Sequence, residues 1–176
     1  MLLAIDIGNT NIVIGCMEDD EIKFKFRIAT DRTRTSDQYG VEIKNMLEAF
    51  GVCLDSIEDC IISSVVPPVF NSVRTGVIKI IGKQPMVVGP GLKTGLQIRI
   101  ENPNQAGADL VAAAVAALKA YPAPLIVVDM GTATTMTVLD AAGAMIGGCI
   151  APGVKIALDA LTERTALLPG LQLDQP

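Results

Sequence analysis

Histidine and tryptophan are both missing from the 176 residues, and the aromatic side chains include only two tyrosines and four phenylalanines. Without histidine, the chain can build neither a Ser-His-Asp or Cys-His catalytic centre nor a metal site with imidazole ligands. The scarcity of aromatic rings argues against a platform on which nucleic-acid bases stack. These absences exclude whole classes of catalytic and binding site.

Basic residues are also in the minority, with 14 Lys and Arg against 19 Asp and Glu and a net charge of −5. A chain without a basic surface cannot neutralise many phosphates, so we expect no nucleic-acid partner. One or two basic residues could still bind a small anion. The hydrophobic fraction of 50% against 19% charged residues predicts a folded core, in one large domain or two small ones.

The chain has four cysteines, Cys16, Cys53, Cys60 and Cys149. They show no CxxC spacing, so a structural zinc site is not expected. We expect them to be buried, reduced thiols that act as small apolar side chains. The start of the sequence lacks the features of a secretory signal, and no apolar run is as long as a membrane span. Together these features predict a soluble, cytoplasmic protein without membrane contact.

Hydrophobic periodicity and turn residues divide the first two thirds of the chain into short elements. The N-terminal part is typical of a three-stranded antiparallel meander, and a loop rich in Gly, Pro, Asn and Gln precedes an alanine-rich helix. The predicted strands cover residues 2–6, 12–16, 21–28, 60–64 and 85–88, the predicted helices cover 37–50, 67–81 and 109–121, and the loop covers 89–106.

The last third repeats the opening pattern. Strands are predicted over 125–129, 135–139 and 144–150, and a helix over about 154–168. Aligning Asp6 with Asp129 also aligns Gly8 with Gly131, at an offset of 123 residues. Such a repeat predicts two similar domains, 1–121 and 122–176, whose Asp-x-Gly turns face one cleft.

Each repeated turn places an acid at a strand end, then a glycine, then small hydroxyl or amide side chains. Glycine allows a sharp turn and close approach to a ligand, and successive backbone N–H groups can bind an anion. The carboxylate can hold a metal ion that bridges to a phosphate. The alternative is a duplicated structural hairpin that binds no ligand.

Six segments occur in the order found in type III pantothenate kinases, and this chain resembles that family over nearly its whole length. The segments are Asp6-Ile-Gly-Asn-Thr10, Arg34-Thr-Ser-Asp-Gln-Tyr-Gly40, Ser63-Ser-Val-Val-Pro67, Gly107-Ala-Asp109, Asp129-Met-Gly-Thr-Ala-Thr134 and Gly147-Gly-Cys-Ile-Ala-Pro-Gly153.

The resemblance implies an α/β protein of the acetate and sugar kinase, Hsp70 and actin superfamily. Its fold is a duplicated ribonuclease-H-like (actin-like ATPase) fold, with mixed sheets, helices and a nucleotide cleft between two domains. Family members continue past the position of Pro176, so the second domain is expected to be represented by its first part. The implied activity is ATP-dependent phosphorylation of pantothenate to 4′-phosphopantothenate, the first step of coenzyme A synthesis. The implied cofactors are Mg²⁺ and a monovalent cation, K⁺ or NH₄⁺, and the implied assembly is a homodimer.

The resemblance also assigns roles to individual residues. Asp109 would be the general base that activates the pantothenate hydroxyl. Asp6 would lie near Mg²⁺ and Asp129 near the monovalent cation. Pantothenate would meet Gly107, Ala108 and Thr165, the last one from the neighbouring subunit. The phosphate loops would be formed by Asp6, Gly8, Asn9 and Thr10, and by Asp129, Gly131, Thr132, Ala133 and Thr134.

Two positions depart from the family pattern. Leu110 stands where Arg is common, and Ile100 stands where Tyr is common, both in or beside the pantothenate pocket of the family. A kinase with a different acceptor, or a non-catalytic accessory or regulatory protein on the same fold, therefore remain alternatives.

Several residues also have simple structural interpretations. Asp109 would be favoured at a helix N-terminus by the helix dipole alone. Arg32 and Arg34 could belong to a solvated face, and Ser63 and Ser64 could be plain strand-end residues. We expect the dimer to form through the alanine-rich helix and the helix after Pro152, because small side chains allow close approach and two-fold contacts are the commonest form.

Overall fold

The computed structural model describes residues 1–19 and 21–165. Within these ranges the chain forms strands and helices in an order close to the predicted one. The strands are β1 (Leu2–Ile7), β2 (Asn11–Glu18), β3 (Glu21–Ala29), β4 (Asp59–Ser64), β5 (Met86–Val87), β6 (Leu125–Met130), β7 (Ala133–Leu139) and β8 (Met145–Pro152). The helices are α1 (Ser36–Ala49), α2 (Pro67–Ile81), α3 (Ala108–Ala120) and α4 (Val154–Arg164), with 3₁₀ turns at Leu54–Ser56 and Pro103–Gln105. The predicted end of the last helix, residues 166–168, lies outside the described residues.

The chain divides into two compact units, 1–92 with 107–112 and 93–106 with 113–176. The first turn of α3 therefore belongs to the first unit and the rest of that helix to the second. The sequence-based domain boundary at 121/122 stays a prediction, as does the proposed cleft.

The first unit is built on a five-stranded mixed sheet in the order β3-β2-β1-β4-β5. Strands β1, β2 and β3 pair antiparallel, so the predicted meander is confirmed. Strand β4 pairs parallel to β1, and β5 pairs parallel to β4. The carboxyl ends of these parallel strands lie at one edge of the sheet, which is where α/β proteins commonly bind ligands.

One face of this sheet and the two helices α1 and α2 form the hydrophobic core. Alternate residues of β1 point into it, and Leu3, Ile5 and Ile7 are almost completely buried. Burying a side chain of this size contributes about 1.5–3 kcal/mol, so the alternating pattern fixes which face of β1 is internal. The helices supply Tyr39, Ile43, Leu47, Val69, Val73 and Val77 to the same core.

The helices α1 and α2 cross at a contact between two glycines. A Cβ atom on Gly76 would lie 2.5 Å from the carbonyl oxygen of Ser36 and 2.9 Å from the amide nitrogen of Gly40. A Cβ on Gly40 would lie 3.1 Å from the carbonyl oxygen of Gly76. The backbones can approach this closely only because both side chains are absent.

The second unit contains a three-stranded antiparallel sheet in the order β6-β7-β8, so the second predicted meander is also confirmed. Its buried residues include Ala114 of α3 and Leu139 at the end of β7. The segment before α3 joins this unit, because Ile98 forms an isolated parallel bridge with Met145. Both copies of the repeat thus have the same strand–turn–strand–turn–strand path.

The expectation that the cysteines are buried is wrong for two of the four. Cys16 and Cys60 are buried, whereas Cys53 and Cys149 are exposed. Cys53 lies in the turn between α1 and β4, and Cys149 lies on an exposed stretch of β8 in the second unit. The expectation rested on the apolar character of cysteine, which does not show where in the fold a cysteine lies. Among the described residues, no helix has the length and apolar character needed to cross a membrane.

Candidate active site

The first Asp-x-Gly turn joins β1 to β2 and is closed by its own glycine. The Gly8 N–H donates a hydrogen bond of 3.0 Å to the carbonyl oxygen of Asn11. A Cβ on Gly8 would lie 3.1 Å from that same oxygen, so a larger residue would press against the turn. Asp6, Asn9 and Thr10 are exposed around it. The turn therefore presents a carboxylate, an amide and a hydroxyl to solvent.

Thr30, directly after β3, stabilises this turn with two hydrogen bonds. Its hydroxyl donates a hydrogen bond of 2.7 Å to the carbonyl oxygen of Gly8, and its N–H donates one of 3.0 Å to the carbonyl oxygen of Thr10. These bonds hold both ends of the turn to the third strand of the meander. Thr30 was not among the predicted site residues, and its only signal in the sequence is a hydroxyl residue immediately after a strand.

The next strand of the sheet places Ser63 beside Asp6. In the parallel pairing of β1 with β4, Asp6 is opposite Ser63 and Ile7 is opposite Ser64. Ser64 has a structural role, because its hydroxyl accepts a hydrogen bond of 3.1 Å from the N–H of Val66 just before α2. Ser63 is 8% exposed, and its hydroxyl has no hydrogen-bond partner among the described residues.

The N-terminus of α3 meets this same edge of the sheet. The N–H of Val65 donates a hydrogen bond of 3.1 Å to the carbonyl oxygen of Ile7, which continues β4 along β1. A Cβ on Gly107 would lie 3.7 Å from a methyl carbon of Val65 and would collide with the carboxylate of Asp109. The missing side chain of Gly107 thus leaves room for the carboxylate of Asp109.

Asp109 lies in the first turn of α3, directly after Ala108, the first residue of that helix. One of its carboxylate oxygens accepts a hydrogen bond of 2.8 Å from the N–H of Leu110. This bond agrees with the simple interpretation of an acid at a helix N-terminus, where the dipole favours negative charge. Asp109 is partly exposed, and its carboxylate can accept further hydrogen bonds.

The segment around Arg34 is explained by helix capping and packing. The hydroxyl of Thr35 and the side chain of Gln38 form a capping box at the start of α1. The buried hydroxyl of Tyr39 donates to the carbonyl oxygen of Asp31 at 2.7 Å and accepts from its N–H at 2.9 Å. Arg34 forms an ion pair with Glu42, and its guanidinium lies 5.8 Å from the centre of the Tyr39 ring. These contacts give Arg34 a structural role on a partly exposed surface.

The second Asp-x-Gly turn joins β6 to β7 and is one residue shorter than the first. In the second turn, three residues separate the last paired residues, Met130 and Thr134. In the first turn, four residues separate the last paired residues, Ile7 and Ile12. The Gly131 N–H donates a hydrogen bond of 3.0 Å to the carbonyl oxygen of Ala133. Asp129, Gly131 and Thr132 are exposed, and Ala133 and Thr134 are half-buried. The two copies of the repeat therefore share a path but differ in turn length.

Gly153 holds the start of α4 against this second turn. Its N–H donates a hydrogen bond of 3.1 Å to the carbonyl oxygen of Thr132. A Cβ on Gly153 would lie 2.8 Å from the carbonyl carbon of Thr132 and still closer to the carbonyl oxygens of Gly131 and Thr132. The turn and the N-terminus of an eleven-residue helix are therefore adjacent, which is an arrangement suited to anions. Gly153 ends the last of the six segments shared with the family, but no role was predicted for it.

The predicted residues thus fall into two groups, each within its own unit. The first unit brings Asp6, the turn 8–10, Gly107 and Asp109 to one edge of its sheet, together with Ser63. The second unit brings Asp129 and the turn 131–134 together with the start of α4. Thr165 follows α4, and its exposed hydroxyl donates a hydrogen bond of 2.7 Å to the carbonyl oxygen of Leu161.

Comparison with known proteins shows to which family the chain belongs. The family model for type III pantothenate kinase matches residues 2–176. This chain belongs to the type III pantothenate kinase family. Curated members from Syntrophotalea carbinolica and Bifidobacterium animalis subsp. lactis are each 47% identical over 176 residues, and one from Moorella thermoacetica is 46% identical. The alignments cover 100% of this chain and 69%, 70% and 69% of those proteins.

Solved structures share the fold of this family member at low sequence identity. A protein from Sinorhizobium meliloti assigned as a 2-dehydro-3-deoxygalactonokinase matches with a TM-score of 0.55 and 14% identity, over 95% of this chain and 58% of that one. One from Porphyromonas gingivalis assigned as an N-acetylglucosamine kinase matches with a TM-score of 0.51 and 14% identity, over 85% and 47%. The predicted fold class, the α/β fold of sugar kinases and actin-like ATPases, is confirmed.

Proposed function

We propose that this type III pantothenate kinase family member transfers a phosphoryl group from ATP to pantothenate, giving 4′-phosphopantothenate in the first step of coenzyme A synthesis. The observation that carries the proposal is the family match over residues 2–176. All three candidate carboxylates, Asp6, Asp109 and Asp129, are present and lie at least partly exposed.

The phosphates of ATP are proposed to bind at the two turns. In the first, Gly8, Asn9 and Thr10 supply backbone, amide and hydroxyl groups beside Asp6. In the second, the backbone and hydroxyls of residues 131–134 lie next to the N-terminus of α4. Phosphoryl transfer depends mainly on positioning and charge neutralisation, so small polar side chains on rigid turns suit it.

Asp6 is the proposed ligand of Mg²⁺, and Asp129 that of a monovalent cation, K⁺ or NH₄⁺. Mg²⁺ is commonly bound by one or two carboxylates together with substrate phosphates and water, and the exposed Asp6 carboxylate fits that role. Ser63 is paired with Asp6 on the neighbouring strand, and its hydroxyl has no partner among the described residues. A polar group at this position suits a hydrated ion. When bound, Mg²⁺ would neutralise charge on the phosphates.

The acceptor is proposed to bind beside α3. Asp109 would accept the proton of the pantothenate hydroxyl, while Gly107 and Ala108 would leave space for the substrate. Thr165 would reach pantothenate from the partner subunit of a homodimer. The exposed apolar side chains of α4, among them Val154, Ile156 and Leu161, support a subunit contact at this helix. A cytoplasmic location stays a prediction.

A different acceptor is the second candidate function, and Leu110 favours it. Its side chain directly follows Asp109, has no hydrogen-bonding group, and stands where an arginine is common in the family. An apolar neighbour would suit an acceptor with less polar surface than pantothenate near its reacting hydroxyl.

The decisive experiment measures ADP release by the purified chain with ATP, Mg²⁺ and K⁺. Release that depends on pantothenate is expected. Release with other alcohols or hydroxy acids but not with pantothenate would support the second candidate. A chain that binds ATP yet releases no ADP with any acceptor would contradict both and favour an accessory protein.

A further inference from the structure

The hydroxyl of Ser63 is a buried polar group for which the described part of the fold provides no partner. Ser63 is 8% exposed, and its Oγ makes no hydrogen bond within the described residues. Buried hydroxyls are normally hydrogen-bonded, because an unpaired one retains the full cost of losing its water. The partner of such a group is therefore expected outside the described residues.

The position of Ser63 indicates where that partner lies. Ser63 is opposite Asp6 in the parallel pairing of β1 with β4, and residues paired in this way project to the same face of a sheet. Two residues further on, Val65 packs near Gly107 at the start of α3. Ser63 thus lies beside the proposed metal ligand Asp6, at the edge that also carries Asp109.

The neighbouring serine provides an internal comparison. The hydroxyl of Ser64 accepts a hydrogen bond of 3.1 Å from the N–H of Val66, so a local backbone role accounts for it. No such bond within residues 1–19 and 21–165 accounts for Ser63. Two adjacent hydroxyls at one strand end therefore differ, and a backbone hydrogen bond accounts only for that of Ser64.

We propose that Ser63 is a positioning residue whose hydroxyl orients a water molecule in the coordination shell of the Mg²⁺ bound at Asp6. This inference rests on the proposed function, since it assumes that Asp6 holds the metal of a metal–nucleotide complex. The side chain of serine is shorter than that of aspartate, so Asp6 would hold the cation directly and the Ser63 hydroxyl would act on it through a bound water. Mg²⁺ retains several waters when bound, and groups that orient such waters tune its affinity.

The test compares Ser63→Ala with Ser64→Ala in the 176-residue chain. Calorimetric titrations with ADP at a series of Mg²⁺ concentrations give the Mg²⁺ concentration for half-maximal binding. Loss of an outer-shell group weakens metal affinity about 10–100-fold, so Ser63→Ala is expected to raise that concentration by this factor. Ser64→Ala is expected to leave it within about twofold, because its hydroxyl serves the backbone.

Thermal unfolding without ligand separates positioning from structure. Removing an unpartnered hydroxyl is not expected to lower the melting temperature, whereas Ser64→Ala is expected to lower it. An unchanged Mg²⁺ requirement in Ser63→Ala, with the wild type binding ADP in a Mg²⁺-dependent way, would overturn the role of Ser63 alone. A wild type that binds ADP equally well with and without Mg²⁺ would overturn the metal position. A wild type that does not bind ADP at all would overturn the proposed function and this inference with it.

Discussion

Replacing Gly153 by alanine tests whether the second turn is a phosphate site that α4 holds in place. The added Cβ would lie 2.8 Å from the carbonyl carbon of Thr132 and closer still to two carbonyl oxygens. Non-bonded carbon atoms prefer about 3.5–4.0 Å, so the turn and the helix must separate by about 0.7 Å or more. All these neighbours are backbone atoms, and no side-chain rotation can relieve the overlap.

A shift of this size in the turn is expected to cause a large loss of catalytic rate. A misplacement of about 1 Å at a reacting group can cost about 10²-fold in rate, and the turn 131–134 is proposed to hold phosphates directly. We therefore expect Gly153→Ala to lower kcat/KM by about 10²-fold and to weaken ATP binding. Overpacking also costs stability, by about 1–3 kcal/mol.

Kinetics with varied ATP, calorimetry with ADP and urea unfolding measure these effects together. Gly147→Ala is the matched control on the same segment, because no described residue other than its own chain neighbours has an atom within 4 Å of a Cβ at that position. Gly147→Ala is expected to retain nucleotide affinity and stability. The reasoning is refuted if Gly153→Ala binds ATP as the wild type does, or if both variants lose function equally.

Three further predictions concern other parts of the molecule. Asp109→Asn is expected to lower turnover about 10²–10⁴-fold with little change in ADP affinity, since the amide cannot accept a proton; normal turnover would reduce Asp109 to a helix cap. Gly76→Ala is expected to lower the free energy of unfolding by about 1–3 kcal/mol in urea, because the overlap at the helix crossing outweighs a gain of about 1 kcal/mol in helix propensity. Gly89→Ala, whose Cβ would meet no described atom within 4 Å, is the control, and equal stability of the two variants would contradict the close crossing. Burial raises the pKa of the Cys60 thiol to about 12 and also raises the pKa of Cys16, so both stay protonated at about pH 8. A thiol reagent is then expected to modify two cysteines in the folded protein and four after unfolding, and four in the folded protein would contradict this burial.

The sequence by itself determined the elements, because the signals for them are local. The paired prolines at 67 and 68 indicate the start of the helix predicted over 67–81, and α2 covers Pro67–Ile81. The structure adds that Gly82 ends this helix in a left-handed conformation with φ of 69°. The repeat of Asp6 and Asp129 predicted two meanders, and both are present. The family followed from motifs whose order is likewise visible in the sequence.

The tertiary structure decided what surrounds each turn. Ser63 lies opposite Asp6 only through the register of the parallel pair β1 and β4, and register depends on packing between distant segments. Thr30 reaches Gly8 across 22 residues, and the missing side chain of Gly153 matters only because Thr132 lies against it. Periodicity reports which face of an element is apolar and nothing about which backbone approaches it. The carboxylates of the candidate site were therefore readable from the sequence, whereas the hydroxyls and glycines that support them needed the fold.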